Sequence, residues 1–207
     1  MAQEIPLKVA TFNILAPCYH RLTRGAEEGE ETYFEQEDEA HYMARNTKIL
    51  DELDQVDADV ICLQEYWFAN EVLRDLYRRR LSLDKGYACE ELRRSSHWRQ
   101  RDDGLAIFVR TKRIVIQDSR DIVFHDCGDR VAKMLLLAYL PPEDAETGVT
   151  PPPQQFIVVN THLLFPHNEF STKIRLREVT KILGFVEGYR QRELCQTICS
   201  RTDVRIP

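Results

Sequence analysis

Three short apolar runs, each followed by a polar residue, constrain the fold of this 207-residue chain more than any other feature. The first run leads to Asn13, the second to Glu65 and the third to His162. Strands that are apolar along their length bury their bodies in a core, and functional residues often follow at their ends. Because the runs are far apart in sequence, the amide, carboxylate and imidazole form one site only if the strands lie side by side.

The segments around these runs alternate between extended and helical patterns. Residues 7–15 predict a buried strand, and residues 24–39, which lack an apolar period, predict a surface loop. Asn70 has the chemistry of a helix N-cap, and Asp102-Asp103-Gly104 has that of a turn. Other strands are predicted at 87–92, 105–109, 114–123, 131–140 and 156–161, and helices at 43–53 and 174–189. Helices that lead from one strand to the next favour a layered α/β fold.

The composition narrows the classes of function. Hydrophobic residues make up 43% of the chain, which is enough for a core, and charged residues make up 30%. The formal net charge of −6 disfavours a broad clamp for nucleic acid, because phosphate binding depends on clustered lysine and arginine. Any role on nucleic acid is therefore expected to be local and metal-assisted. No apolar stretch is long enough to cross a membrane.

Cysteine usage points to a reducing compartment. The six cysteines lack the paired spacing of a zinc site, and they lie at positions 18, 62, 89, 127, 195 and 199. Without a recognisable signal peptide, we expect reduced thiols and a cytoplasmic or nuclear location.

Each polar residue has a functional and a structural interpretation. Glu65, at the mouth of a core, suits a Mg²⁺ ion, but it also suits a salt bridge at a sheet edge. Asn13 has the donors to orient a carboxylate or a phosphate oxygen, but asparagine also ends strands as a turn residue. His162 has the pKa range for proton donation to a phosphate oxygen, and it also fits a core histidine bonded to backbone. Each signal is weak alone.

Taken in order, the motifs resemble the endonuclease/exonuclease/phosphatase superfamily, and its deadenylase-like branch most closely. The order and approximate spacing match over residues 7–190. The stretches that carry the resemblance are Ala10-Thr11-Phe12-Asn13-Ile14-Leu15, Ile61-Cys62-Leu63-Gln64-Glu65, Asp103-Gly104-Leu105-Ala106-Ile107-Phe108, Arg130-Val131-Ala132 and Val158-Val159-Asn160-Thr161-His162-Leu163.

This resemblance implies a four-layer α/β sandwich of the DNase I-like type and hydrolysis of phosphoesters with Mg²⁺, or with Mn²⁺ in its place. By position in the motifs, Glu65 matches the glutamate that binds the metal. Asn13 matches the asparagine that supports metal and substrate, and His162 matches the histidine that contacts the scissile phosphate. The substrate class stays open between nucleic acid, a nucleotide and an inositol phosphate, and the oligomeric state is not readable.

One departure from the family pattern limits these expectations. The family's later Gly-Asp-x-Asn and Ser-Asp-His segments have no counterpart in residues 191–207, and Asp203 lies in the wrong context to replace them. We therefore expect one domain over 1–207 that lacks the family's C-terminal strands, with an atypical tail after residue 190 and weak or no turnover. The alternatives are a non-catalytic binding module and an incomplete gene model of a longer enzyme.

Overall fold

The computed structural model describes residues 7–24, 31–95, 100–124, 126, 129–143 and 148–202, without the side chains of 95, 100 and 193–202. Nine strands and three α-helices are described, together with a short 3₁₀ helix at Glu35–Glu37 and a π-helical segment at Arg78–Leu83. In chain order the strands and helices are β1 (Val9–Asn13), β2 (Arg21–Arg24), β3 (Glu31–Phe34), α1 (Glu39–Val56), β4 (Val60–Trp67), α2 (Glu71–Tyr77), β5 (Tyr87–Ser95), β6 (Gln100–Arg110), β7 (Ile114–Val123), β8 (Val131–Tyr139), β9 (Gln154–Thr161) and α3 (Glu169–Thr202).

Two sheets form the centre of the fold. The first has the order β1-β4-β6-β5, with β1 parallel to β4 and the other pairs antiparallel. The second is the antiparallel sheet β7-β8-β9, and β2 and β3 form a separate hairpin.

The sheets pack face to face, and helices cover their outer faces. Between the sheets, Val60, Cys62, Ile107 and Val109 of the first meet Ile114, Leu135, Leu137 and Tyr139 of the second. The outer face of the first sheet packs on α1 and α2, and the outer face of the second packs on α3. The predicted four-layer arrangement of helix, sheet, sheet and helix is therefore confirmed. No helix in the described parts of the chain is long and apolar enough to cross a membrane.

Local sequence signals place several helix boundaries. The Asn70 side chain accepts a hydrogen bond from the Leu73 amide at 2.9 Å, which confirms the predicted N-cap of α2. Asp38 caps α1 in the same way through the His41 amide, and Asp57 ends that helix in the left-handed conformation. As a result, α1 extends beyond the predicted range of 43–53 at both ends.

Four predictions of local structure are wrong. Within the predicted loop at 24–39, residues 31–39 contain β3, the 3₁₀ helix and the start of α1, because β3 pairs with β2, and residues 25–30 lie outside the described residues. The predicted turn at Asp102-Asp103-Gly104 lies inside β6, where ladder pairing with β4 and β5 overrides the turn composition. The predicted buried strand β1 is mostly exposed, because β4 is its one partner among the described strands. The α3 helix also continues to Thr202, past the predicted end at 189, and Asp203 lies outside the described residues.

Candidate active site

The carboxyl ends of β1 and β4 bring Asn13 and Glu65 into contact. The two strands run parallel with Asn13 beside Gln64, so Glu65, which lies at the register shift within β4, is next to the end of β1. Asn13 Nδ2 donates to Glu65 Oε1 at 2.9 Å, and the Ala16 amide donates to Glu65 Oε2 at 3.0 Å. The Asn13 side-chain oxygen accepts from the Leu15 amide at 2.9 Å. Both residues are thus held by short local bonds.

A β-bulge aims the Glu65 side chain. The register of β4 against β6 shifts between Gln64 and Tyr66, and Glu65 itself has a left-handed backbone with φ of 58°. A non-glycine residue in this region carries strain of about 1–3 kcal/mol, which the surrounding structure has to support. Bulges of this kind redirect a side chain at the end of a strand. In this chain the bulge turns the carboxylate toward Asn13 and Ala16, at and after the end of β1, instead of leaving it over a face of the sheet.

Arg45 of α1 holds the loop after β1. The sequence did not predict this contact. Arg45 donates to the carbonyl oxygens of Ile14 and Leu15, each at 2.7 Å. Its guanidinium also pairs with the buried carboxylate of Glu35 at 2.6 Å. Burial opposes the charge of Glu35, but hydrogen bonds from Arg45 and His41 outweigh it and lower the Glu35 pKa. These contacts fix the backbone that contributes the Ala16 amide to Glu65.

His162 completes the predicted group of three residues. It follows β9 in the second sheet, and its Nε2 lies 3.8 Å from Glu65 Oε1. Its other ring nitrogen, Nδ1, lies 3.2 Å from an Arg130 guanidinium nitrogen. Burial and the nearby Arg130 charge lower the His162 pKa below its ordinary value, so the neutral ring is favoured. The structure therefore brings Asn13, Glu65 and His162 together.

The position of β9 depends on a buried asparagine that links the two sheets. Asn160 Nδ2 donates to the carbonyl oxygens of Leu63 at 2.9 Å and Ala106 at 3.1 Å, both in the first sheet. Its own side-chain oxygen accepts from Gln64 Nε2 at 2.7 Å. This residue lies two positions before His162 and contacts the neighbour of Glu65. It was part of a recognised motif, but its bridging role follows only from the packing.

A second polar group, which the sequence did not assign, faces the same space. Asp103 accepts from the Tyr19 hydroxyl at 2.7 Å and from Arg94 at 2.8 Å. Burial opposes the charge of Arg94, but Asp103, Tyr19 and Asp129 outweigh it and raise the Arg94 pKa. Burial and the bond to Asp103 raise the Tyr19 pKa, so this hydroxyl stays protonated. The turn-like composition around Asp103 hid this cluster.

These groups line one open cavity of about 530 Å³. Its polar wall consists of Tyr19, Glu65, Arg94, Asp103, Arg130 and His162. Phe165 and His167 line it as well, with ring centroids 4.9 Å apart. In the parts of the chain that the structure describes, no group of three or more histidine, cysteine, aspartate or glutamate side chains has the geometry of a metal site. Glu65 and Asp103 are the carboxylates of the described cavity wall, and Asn13 contacts Glu65.

Comparison with known proteins identifies the family. The model of the endonuclease/exonuclease/phosphatase family matches residues 10–160. The chain belongs to this family. Among solved structures, the human Nocturnin catalytic domain with bound sulfate anion superposes with a TM-score of 0.61 at 22% identity, over 90% of this chain and 59% of that one. The DNase I-like fold predicted from the motifs is therefore confirmed.

Two further relatives of this family member are informative. An Arabidopsis thaliana protein named as an uncharacterized calcium-binding protein is 37% identical over 188 residues, which cover 91% of this chain and 37% of the relative. ANGEL2, described as a 2′,3′-cyclic phosphatase, superposes with a TM-score of 0.53 at 25% identity, over 82% of this chain and 44% of that one. The chain thus spans well under two thirds of the length of these relatives.

Proposed function

We propose that this family member carries the site of a divalent-metal-dependent phosphoester hydrolase. The observation that supports this most is the environment of Glu65. Its buried carboxylate accepts bonds from two neutral groups, the Asn13 amide and the Ala16 backbone, and faces an open cavity. In the described parts of the chain, no lysine or arginine forms an ion pair with it. A buried carboxylate with so little compensation fits a site for a cation.

The donor set fits Mg²⁺, with Mn²⁺ as the alternative. Glu65 would bind the ion directly, and Asn13 would hold the carboxylate in place through its amide. Magnesium commonly takes one or two carboxylates and keeps several waters, so one glutamate in an open cavity is compatible with it. When bound, the cation would supply positive charge against the phosphate oxygens.

His162 is oriented to donate a hydrogen bond toward the scissile phosphate. Because a guanidinium only donates, the contact with Arg130 makes Nδ1 of the neutral ring an acceptor. We therefore assign the ring proton to Nε2, the nitrogen on the side of Glu65. From there it donates to a phosphate oxygen on which negative charge develops. The lowered His162 pKa favours the neutral ring over the charged ring.

The relatives support the reaction class without naming the substrate. ANGEL2 is a phosphatase by its description, and the Nocturnin catalytic domain binds a sulfate anion. We propose a phosphoester substrate for this chain, from the nucleic-acid, nucleotide or inositol phosphate classes.

The described site also leads us to propose weak turnover. Asp103, the other carboxylate in the cavity wall, is engaged by Arg94 and Tyr19, so Glu65 remains as the main anionic ligand. Because both bonds hold Asp103, it is a poor base toward an attacking water, and general-base assistance is typically worth about 10²–10⁴ in rate. A non-catalytic module that binds metal and phosphoester is therefore the second candidate function.

The test is to measure Mg²⁺ and Mn²⁺ binding by calorimetry and hydrolysis of a panel of phosphoesters for Glu65→Gln. We expect at least about tenfold weaker metal binding and loss of any hydrolysis, because the substitution removes the charge but keeps the shape. The matched control is Glu187→Gln on the exposed face of α3, which should behave as wild type. Metal-dependent hydrolysis that survives Glu65→Gln would overturn the proposal. Metal binding that depends on Glu65 without hydrolysis would identify the binding module.

A further inference from the structure

His162 divides the cavity into two chemically different sides. Its Nε2 faces the Glu65 carboxylate, and its Nδ1 faces the Arg130 guanidinium. The two nitrogens lie on opposite sides of the imidazole ring. One side of the cavity is therefore anionic and suited to a metal, and the other side is cationic.

Arg94 and Arg130, on the cationic side, differ in their ionic partners. Asp103 pairs with Arg94 at 2.8 Å. Asp129 pairs with Arg101 and lies 3.8 Å from Arg94. In the described parts of the chain, no carboxylate forms an ion pair with Arg130. Burial and repulsion from Arg94 lower the Arg130 pKa, although Asp103, Asp129 and Glu178 act on it from farther away in the opposite sense.

Both arginines also leave a hydrogen-bond donor unused. The Nε atoms of Arg94 and Arg130 are buried and have no acceptor among the residues that the structure describes. Arg94 is only 9% exposed, and both residues line the cavity. Buried donors without an acceptor are uncommon in folded proteins, and a bound water or ion is one explanation for them. Two neighbouring guanidinium groups in the wall of one cavity match the several acceptor oxygens of a phosphate group.

We propose that Arg94 and Arg130 form a subsite for a second phosphate group of the substrate, next to the phosphate that Glu65 and His162 engage. This deepens the proposed function and rests on it for the position of the scissile group. The substrate is then a phosphoester with another phosphate close by. The aromatic pair of Phe165 and His167 lies in the same cavity, with Phe165 61% exposed. An exposed ring pair can stack on a nucleobase, which favours a nucleotide or oligonucleotide over a phosphorylated sugar.

The subsite can be tested without catalysis by titrating the metal-free protein in EDTA. The probes are adenosine, adenosine 5′-monophosphate, adenosine 3′,5′-bisphosphate and inositol 1,4-bisphosphate. Calorimetry measures the binding of each probe. We expect the adenosine bisphosphate to bind at least about tenfold more tightly than the monophosphate, because each charge-assisted contact contributes on this scale. Arg130→Gln should reduce this preference to about twofold or less, and Arg130→Lys should restore part of it.

The matched control is Arg113→Gln, an exposed arginine that pairs with Asp59 outside the cavity. It should keep the full bisphosphate preference, and thermal melts should show that all variants are folded. Equal binding of mono- and bisphosphate by the wild-type protein, or a preference that survives Arg130→Gln, would overturn the subsite. Tighter binding of inositol bisphosphate than of adenosine bisphosphate would overturn its assignment to nucleotides. Since no metal is present, the result is separate from the hydrolysis test, and failure of either proposal is recognised on its own.

Discussion

The two strands that carry Glu65 and His162 differ sharply in how they are supported. In β4 every residue except Gln64 is buried, and the strand has β1 on one side and β6 on the other. In β9 only Asn160 is buried, and β8 is its one partner among the described strands. The carboxylate therefore stands on a central strand, and the imidazole stands on an edge strand.

This difference shows two ways of holding a functional side chain. Glu65 lies at a strained bulge, which a closely packed sheet and the bonds from Asn13 and Ala16 support. His162 follows an edge strand that pairs with β8, and the buried Asn160 adds a polar link from that strand to the first sheet. A central strand is supported by neighbours on both sides, whereas an edge strand has fewer neighbours and a buried polar link contributes more to its support.

The largest effect is expected where the packing around β4 has no spare room. Gly104 of β6 lies opposite Tyr66, next to the bulge, and a β-carbon there would lie 2.2 Å from the Leu92 carbonyl oxygen and 2.7 Å from the Phe68 ring. We expect Gly104→Ala to lower the free energy of unfolding by about 3 kcal/mol or more, because backbone has to move. Urea denaturation measures this change.

The matched control is Gly184→Ala in α3, where an added β-carbon meets nothing within 4 Å. This substitution should raise the stability by about 0.5–1 kcal/mol, since alanine favours a helix over glycine. If Gly104→Ala were as stable as the wild type, the close packing of β6, the neighbour of β4, against β5 and Phe68 would be wrong.

The next largest effect is expected at Asn160, which links β9 to the first sheet. Asn160→Ala removes the bonds to Leu63 and Ala106 and leaves the Gln64 amide without that acceptor, so we expect a loss of about 2 kcal/mol in unfolding free energy. The comparison is Gln155→Ala on the same strand, where the side chain makes one exposed bond to Gln117 and the loss should stay below about 0.5 kcal/mol. Equal losses of unfolding free energy for the two variants would show that the Asn160 bonds do not stabilise the contact between the sheets.

The smallest effect concerns the segment that follows His162. The buried Glu178 of α3 accepts a bond from the Leu164 amide at 3.0 Å, and its Oε1 has no partner among the described residues. Burial raises the Glu178 pKa, so the folded state keeps this proton to a higher pH than the unfolded chain does. Wild-type stability should therefore fall as the pH rises from 4.5 through the raised pKa.

Glu178→Gln keeps the acceptor for Leu164 and removes the titration. In urea melts near pH 8 we expect it to exceed wild-type stability by up to about 1 kcal/mol, with the difference disappearing below pH 4.5. Glu187→Gln, exposed on the same helix, is the control for the substitution itself. A stability difference that grows toward acid pH would contradict the expected direction of the Glu178 pKa shift.

Much of the architecture was predictable because strong local patterns agree with the packing. The apolar runs around Leu63 and Val158 form central parts of β4 and β9, and Asn70 caps α2 as expected. The hairpin of β2 and β3 was not predictable, because each strand is short and exposed and gains its order from the other. The domain bounds, the cytoplasmic or nuclear location and the roles of Asn13, Glu65 and His162 stay predictions.

The hidden part of the site follows from contacts between residues that are distant in sequence. Asp103 resembled a turn residue because its neighbours are Asp102 and Gly104, and only the ladder of β6 places it in the cavity wall. Arg94 lies in a charged stretch without any motif, and its burial comes from Tyr19 and Asp103. A local pattern contains no information on such partners.

Patterns along the chain were enough to predict the layered α/β class, the family and the three polar residues that follow the apolar runs. Periodicity and motif order carry that information, because they depend on neighbours along the chain. The packed fold was needed to show that Glu65 lies at a bulge, that Asn160 links the two sheets, and that His162 lies between a carboxylate and a guanidinium. These features arise where strands from two sheets meet, so they depend on distances in space that spacing in the sequence does not define.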